Sequence, residues 1–422
     1  MNSPLNIWIL QIGEPLPMDD VDVRLFRCGL LAQHANERGH NVRWWTSGFD
    51  HYRKCFRYAT DEVIEFRPGY EIECLRGCGY AKNVSLRRYR DHKILGQKFR
   101  QFAPQRARPD VIWCAVPIVE LALPAVQLAR EWGVPIVLDA MDRWPDHFLT
   151  VLPPAFSPAV RLLLAKQWRD TREAFAGATA VSGNSEGFVK WGLGYANRAR
   201  NQWDRPFYFG YPQPEISLST RLEANAYWDK LDVLPGRMNA CFVGTVSNRP
   251  FDLTAMIRGV QQSKLSGKLV VCGEGESRPE LQALAAGDPR IVFAGWRNAA
   301  EIAVLMERCH LGIAPYRPTE NFLHNIPNKI PEYLAGRLAV LSGVDGEIGE
   351  ILTRTGSGVV YPASDPDALA AAIDRMLQNP GALAQMKVSS GETFNQSFRA
   401  STIYPAIVDH LEKLAATHHP NR

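Results

Sequence analysis

HLGIAPYRPTENFLHNIPNKIPEYLAGRLAVLS, residues 310–342, decides how the chain is read. Leu311–Ala314 is an apolar run of strand character, followed by a polar loop and a helix that opens near Pro327. That helix ends at Gly336, ahead of a second apolar run, Ala339–Ser342. Strand, loop, helix and strand make a crossover unit, which lays two parallel strands in one sheet and sends the loop off a carboxyl end. Asn328 and Lys329 fall in the first helical turn, where unpaired amides and the helix dipole favour an anion. Lys329 adds a point charge suited to a pyrophosphate, and Glu332, one turn later on the same face, suits the hydroxyls of a ribose. The same residues also read as an ordinary capped helix with a surface Lys and Glu.

Working outward, β-branched runs alternate with helical patterns from end to end. In the first half the runs are Asn6–Ile12, Asn41–Thr46, Ile72–Leu75, Val111–Cys114, Ile136–Asp139, Ala178–Ser182 and Phe207–Phe209, with helices expected near 22–38, 85–102, 117–132, 155–176 and 184–196. The second half repeats the rhythm with runs at Ala240–Val243, Leu269–Cys272, Ile291–Ala294, Leu311–Ala314, Ala339–Ser342 and Gly358–Tyr361. This pattern predicts an α/β chain of two doubly wound, Rossmann-like domains with parallel sheets. The break falls where Gly210-Tyr211-Pro212 and Leu234-Pro235-Gly236 punctuate a polar stretch. The expected division is therefore 1–205, a linker at 206–238, a second domain at 239–395 and a terminal segment at 396–422. Ligands of such domains sit beyond the carboxyl ends of the strands, in a cleft between the two. The informative loops are then 13–21, 140–150, 244–250, 273–276, 295–298 and 315–327.

Composition narrows the class. Of 422 residues, 46% are apolar and 22% charged, with 48 Lys+Arg against 44 Asp+Glu, which excludes a disordered chain and argues against a nucleic-acid binder. Eight irregularly spaced Cys read as reduced thiols rather than a disulfide framework. The first residues lack a basic n-region, and the most apolar stretch, Val111–Val126, is interrupted by Pro117, Glu120 and Pro124, so neither reads as a signal peptide or a membrane span.

Several motifs, in order, resemble the retaining glycosyltransferases of the GT-B fold, specifically family 4 and its branch for polysaccharide and lipid-linked oligosaccharide assembly. FVGTVSNRPFDL (242–253), KLVVCGEGE (268–276), RIVFAGW (290–296) and GEIGEILTRTGSGVVYPASDPDALAAAIDRML (346–377) resemble the donor-nucleotide domain around the opening segment. GEPLPMDDVDVRLFRCGLLAQHANERGHNVRWWTS (13–47), PDVIWCAVPIVELAL and VPIVLDAMDRWPD resemble the acceptor domain. The resemblance implies transfer with retention from a nucleoside-diphosphate sugar, UDP ahead of GDP, without a metal or other cofactor. It implies catalytic roles for Arg249, Lys329 and Asp142, and donor contacts from Gly13, Thr245, Gly273, Gly275, Trp296, Arg297, His324, Asn325, Asn328 and Glu332. It also implies that the last helix, about 400–416, packs back across the first domain. Departures accompany it. His324 stands where the family usually has the first of two Glu, eight positions before Glu332. Arg249 stands for a Lys, and Thr245 for an Arg. The first phosphate loop has Gly13 followed by Glu14, and Met141 precedes Asp142 where a His is usual.

From Lys82 to Arg108 nine basic residues face one acid, Asp91, with Leu86 and Leu95 at helical spacing. This segment reads either as a solvated basic face or as a dock for an anionic membrane. With Arg24, the residues Arg87, Arg88 and Arg90 form the expected acceptor and membrane set. The expected partners are a sugar nucleotide, a glycan or polyprenyl-diphosphate-linked acceptor, and the inner face of the cell membrane. Other readings are a sugar-nucleotide epimerase of the same plan, a noncatalytic carbohydrate-binding scaffold, and a cysteine phosphatase built on Cys272-x5-Arg278 with Trp144-Pro145-Asp146. Glu274 and Glu276 oppose the last, because they would repel a phosphate dianion. Cys74 and Cys78 lack a second ligand pair for zinc, and the acidic run Asp19–Asp22 reads as a loop and helix cap rather than a metal site.

Overall fold

Most of the strands are runs of four to seven residues, too short for helices, and the central ones are buried on both faces, as parallel sheets require. The computed structural model describes residues 3–20, 23–151, 155 and 157–418; Val21 and Asp22 of the acidic run and Phe156 at the start of the expected 155–176 helix lie outside them. The chain divides into one unit of Met1–Tyr208 with Ser401–Arg422 and another of Phe209–Ala400.

The first unit's sheet has strands β1 (Asn6–Leu10), β2 (Asn41–Ser47), β3 (Glu62–Arg67), β4 (Tyr70–Leu75), β5 (Val111–Val116), β6 (Ile136–Ala140), β7 (Ala180–Gly183) and β8 (Arg205–Pro206). Their order is β8-β7-β6-β5-β1-β2-β4-β3. All pairs are parallel except the β3–β4 edge hairpin. Trp8, Trp45, Phe99 and Trp132 interlock in the core, with ring centroids 5.0–6.2 Å apart. Serine caps start two of the helices that cover this sheet: Ser85 accepts from the Arg88 amide and Ser185 from the Phe188 amide. The helix Ala400–His418 closes the unit, with Tyr404 buried, Arg38 2.5 Å from Asp409, and His40 2.9 Å from Glu412.

The second unit's sheet has β9 (Ala240–Val243), β10 (Leu269–Cys272), β11 (Ile291–Gly295), β12 (Leu311–Ala314), β13 (Ala339–Ser342) and β14 (Gly358–Val360), all parallel in the order β11-β10-β9-β12-β13-β14. The strand order reverses between β9 and β12, as it does between β1 and β5 in the first unit. Such switch points open a crevice at the strand ends.

The stretch 206–238, read as a linker, carries the helix Leu218–Lys230 of the second unit. Trp228 on that helix is fully buried and donates to the Glu301 carbonyl at 2.9 Å. Only Ala224 and Trp228 are buried on it, too few to stand out as a periodic stripe. The Phe207–Phe209 run is likewise not a strand; the edge strand ends at Pro206.

Candidate functional site

At the second unit's switch point β9 and β12 stay paired only over Ala240↔Leu311 and Cys241↔Gly312. Beyond that the strands part, and the Tyr333 hydroxyl fills the opening: it accepts from the Val243 amide at 3.0 Å and donates to the Ile313 carbonyl at 3.2 Å. Gly312 makes this wedge fit, because a Cβ there would lie 2.6 Å from the Tyr333 ring. Tyr333 belongs to the helix Lys329–Ala335, whose first residue points its ammonium into the same crevice. Lys329 is buried, not a surface lysine. Its ammonium donates to the Val243 carbonyl and lies 4.1 Å from the centroid of Phe242, 5.0 Å from that of Phe251 and 6.0 Å from that of Tyr333. Burial pulls its pKa down to about 8, against the opposing pull of Glu332, which is also buried.

Gly244, at φ +150°, passes directly over this ammonium; a Cβ there would sit 2.5 Å from Nζ. The glycine therefore keeps open the one approach that β9 itself would close with a side chain. Gly273 and Gly275 let two loops lie backbone to backbone. The 273–277 loop zips onto the 244–248 loop: Gly244 N donates to Cys272 O at 2.9 Å, Val246 N to Glu274 O at 2.9 Å, and Ser277 N to Val246 O at 3.1 Å. Added Cβ atoms would overlap the Gly244 carbonyl from Gly273 and the Val246 backbone from Gly275. Thr245 is exposed on the loop so braced.

Arg249 projects into solvent, 89% exposed, with Glu276 3.6 Å away; Glu276 in turn accepts from Ser247 Oγ at 2.7 Å. Trp296 is exposed just after β11, while Arg297 stacks 4.5 Å over Tyr227 and pairs with Glu301 at 3.3 Å. Tyr227 comes from the Leu218–Lys230 helix, so the supposed linker helps to shape this loop. His324 follows the short helix Glu320–Leu323 and faces Glu320 at 3.7 Å. Asn325 is half-buried beside it, and Asn328 is exposed at the start of the Lys329 helix.

In the first unit the carboxyl edge gathers a second set. Gly13, at φ +99°, turns the chain after β1 with His51 alongside. Glu14 is buried and accepts from the Cys28 and Gly29 amides at 3.0 and 3.1 Å; burial raises its pKa to about 7, against those hydrogen bonds. Its neighbour Arg27 grips Asp139 through two hydrogen bonds of 2.6 and 2.9 Å. Arg24 is exposed nearby in sequence. The Asp142 carboxyl is pushed up by burial, with His147 pulling the other way.

Arg88 stacks over Tyr80 at 5.4 Å and Trp144 at 5.0 Å, and Lys54 lies 4.9 Å from the Tyr80 centroid. His51, hydrogen-bonded to Tyr80 Oη at 2.6 Å, is pulled down to about 4 by burial and by these two cations. Arg87 is committed to the Gly79 and Cys78 carbonyls at 2.8 and 3.0 Å, and Arg88 to the Asn83 carbonyl at 2.8 Å. Those two arginines anchor a turn, whereas Arg90 is exposed with Lys82 and Lys93.

The phosphatase reading does not survive the geometry. Cys272 is buried at the end of β10 with its thiol pushed well up by burial, and Arg278 is held by Glu274. Asp146 is a structural hub that accepts from Trp168, Trp191 and Tyr195 at 2.7–2.8 Å. Among the described residues no group of three or more His, Cys, Asp or Glu is arranged to hold a metal ion, and no helix is long and apolar enough to cross a membrane.

Residues 237–379 match the family described as Glycosyl transferases group 1, a span that contains both loops and the Lys329 helix. Among solved structures the chain is similar to sucrose-phosphate synthase from Thermosynechococcus elongatus, with a TM-score of 0.72 and 16% identity over 98% of this chain and 100% of that one. It is similar to HepE of Anabaena in complex with UDP, with a TM-score of 0.67 and 15% identity over 97% and 100%. A third likeness is to WaaG, a glycosyltransferase involved in lipopolysaccharide biosynthesis, with a TM-score of 0.63 and 13% identity over 96% and 99%. No curated protein sequence matches the chain. The fold is GT-B, with two Rossmann-like domains.

Proposed function

We propose that this protein is a glycosyltransferase that moves a sugar from a nucleoside-diphosphate sugar to a glycan or polyprenyl-diphosphate-linked acceptor, with retention and without a metal. The observation that carries the reading is the caged Lys329 ammonium beneath Gly244, at the switch point of a unit whose residues 237–379 match a glycosyltransferase family. A departing nucleoside diphosphate needs its growing charge held, and a fixed, partly desolvated cation does this without reorganisation. Arg249, whose contact to Glu276 is long and exposed, is assigned to the same charge. Glu332 is assigned to the ribose, Trp296 and the Arg297 loop to the base, and Asn325, His324 and Asn328 to the sugar and phosphate side. UDP is favoured over GDP, and the HepE structures with UDP and with UDP-glucose support that preference.

The first unit is assigned the acceptor. The cations Lys54 and Arg88 around Tyr80 suit an anionic glycan or diphosphate, and Asp142, with its raised pKa, suits an acceptor hydroxyl. Incubation with labelled UDP-sugars tests the reading: label must pass to an acceptor, whereas conversion of the free sugar nucleotide without acceptor would make the protein an epimerase.

A place on the cytoplasmic face of the membrane, in cell-surface polysaccharide assembly, is part of the proposal. Val84 and Leu86 are 76% and 83% exposed beside the exposed Lys82, Arg90 and Lys93. At ~1 kcal/mol per basic residue, replacing Lys82, Arg90 and Lys93 with Ser is expected to weaken binding to anionic vesicles roughly a hundredfold. Cosedimentation at low and high salt measures this; equal binding of variant and parent would refute the docking face.

A further inference from the structure

We propose that the second unit carries another small-molecule site, for an amphipathic organic anion, at the edge of its sheet opposite the Lys329 crevice. A groove of about 510 Å³ lies there, within the usual size range of ligand pockets. Its floor comes from residues just before strands: Met238 ahead of β9, Ser266 ahead of β10 and His310 ahead of β12. The loops of the nucleotide site leave the other ends of these strands, so the two places share a sheet but no residue.

The groove has an apolar body and one cationic corner. Met238, Met376 and Leu383 line it, and the two methionines can adapt to a flexible aliphatic chain. Leu383, Ala384 and Lys387 share one face of the helix Pro380–Ser397, which forms a wall. Lys387 is half-buried with a lowered pKa from that burial, and its hydrogen bond is a long one, 3.4 Å to the Cys309 carbonyl. Among the described residues no carboxylate acts on it electrostatically. His310, whose pKa burial and Lys387 lower, lies in the same corner, and its Nδ1 is buried without a hydrogen-bond partner. An ammonium desolvated in this way gains most from an anion, and the apolar walls select one with an aliphatic body. A carboxylate and a phosphate monoester share the required headgroup chemistry. The site does not depend on the function proposed above.

Calorimetric titration of the full chain, below the micelle threshold, tests it with decanoate, decyl phosphate, decanol and inorganic phosphate. Saturable binding of one decanoate or decyl phosphate per chain is expected, and whichever binds identifies the headgroup. Decanol and inorganic phosphate should not saturate, and UDP in excess should leave the affinity unchanged. Lys387→Met is expected to weaken binding about tenfold, and Ala384→Trp, on the exposed rim, to abolish it. Absence of saturation by both amphiphilic anions, equal binding of decanol, displacement by UDP, or parental affinity in both variants would each overturn the proposal.

Discussion

Replacing Lys329 with methionine is expected to lower sugar transfer by roughly 10²–10³-fold while the protein stays folded. The side chain lies among the rings of Phe242, Phe251 and Tyr333, a surrounding that accepts a thioether of similar length. What the variant lacks is the charge beneath Gly244. Because burial brings the Lys329 ammonium to about 8, the parent carries a second signature. An anion binds the protonated form, so UDP affinity should be level below about pH 8 and fall as pH rises through that value. The variant should lose this slope along with its affinity. Steady-state kinetics and calorimetry across that range are the measurements. A kcat/KM within threefold of the parent would remove Lys329 from the mechanism.

Gly275→Val is expected to be severely damaging to the fold of the second unit. A Cβ at this position overlaps backbone atoms of Val246, which no rotamer change relieves, and the two loops are joined by three backbone hydrogen bonds that would have to part. A loss of about 3 kcal/mol or more follows from overpacking against backbone together with broken hydrogen bonds. Gly381→Ala makes the contrast. It lies in the first turn of the Pro380–Ser397 helix with nothing within 4 Å of an added Cβ, and it should be neutral or stabilising by up to about 1 kcal/mol. Thermal and chemical denaturation of both variants decides the matter. Similar stability of Gly275→Val and the parent would mean that the loops are not braced as described.

Most strands of the two sheets were legible because they are largely apolar runs between helical patterns, and parallel strands buried on both faces read in that way. The β3 edge strand was not, since Glu62–Arg67 mixes charges with Val63, Ile64 and Phe66. The Leu218–Lys230 helix hid for a related reason, its burial resting on Ala224 and Trp228. At the candidate site, residue types were readable and surroundings were not. Lys329 stood out as a cation after a strand, but its cage is built from Phe242 and Phe251, distant in sequence, and from Tyr333, whose wedge between β9 and β12 depends on Gly312. Gly273 and Gly275 read as a Gly-rich turn, and only the structure shows that the backbone of residues 244 and 246 fills the space their side chains would need. Arg87 and Arg88 carry the charge of a docking surface, and the carbonyls of Cys78, Gly79 and Asn83 accept from their guanidinium groups, which a count of charges does not show. Local pattern encodes elements and charge; pairing between distant segments decides which charges remain free to act.

A crystal structure of the UDP complex bears most directly on where the leaving group is held. The diphosphate should lie over Gly244 within reach of the Lys329 ammonium, with the uracil against the 295–297 loop. UDP bound away from Gly244 and Lys329, with that crevice empty, would contradict the assignment.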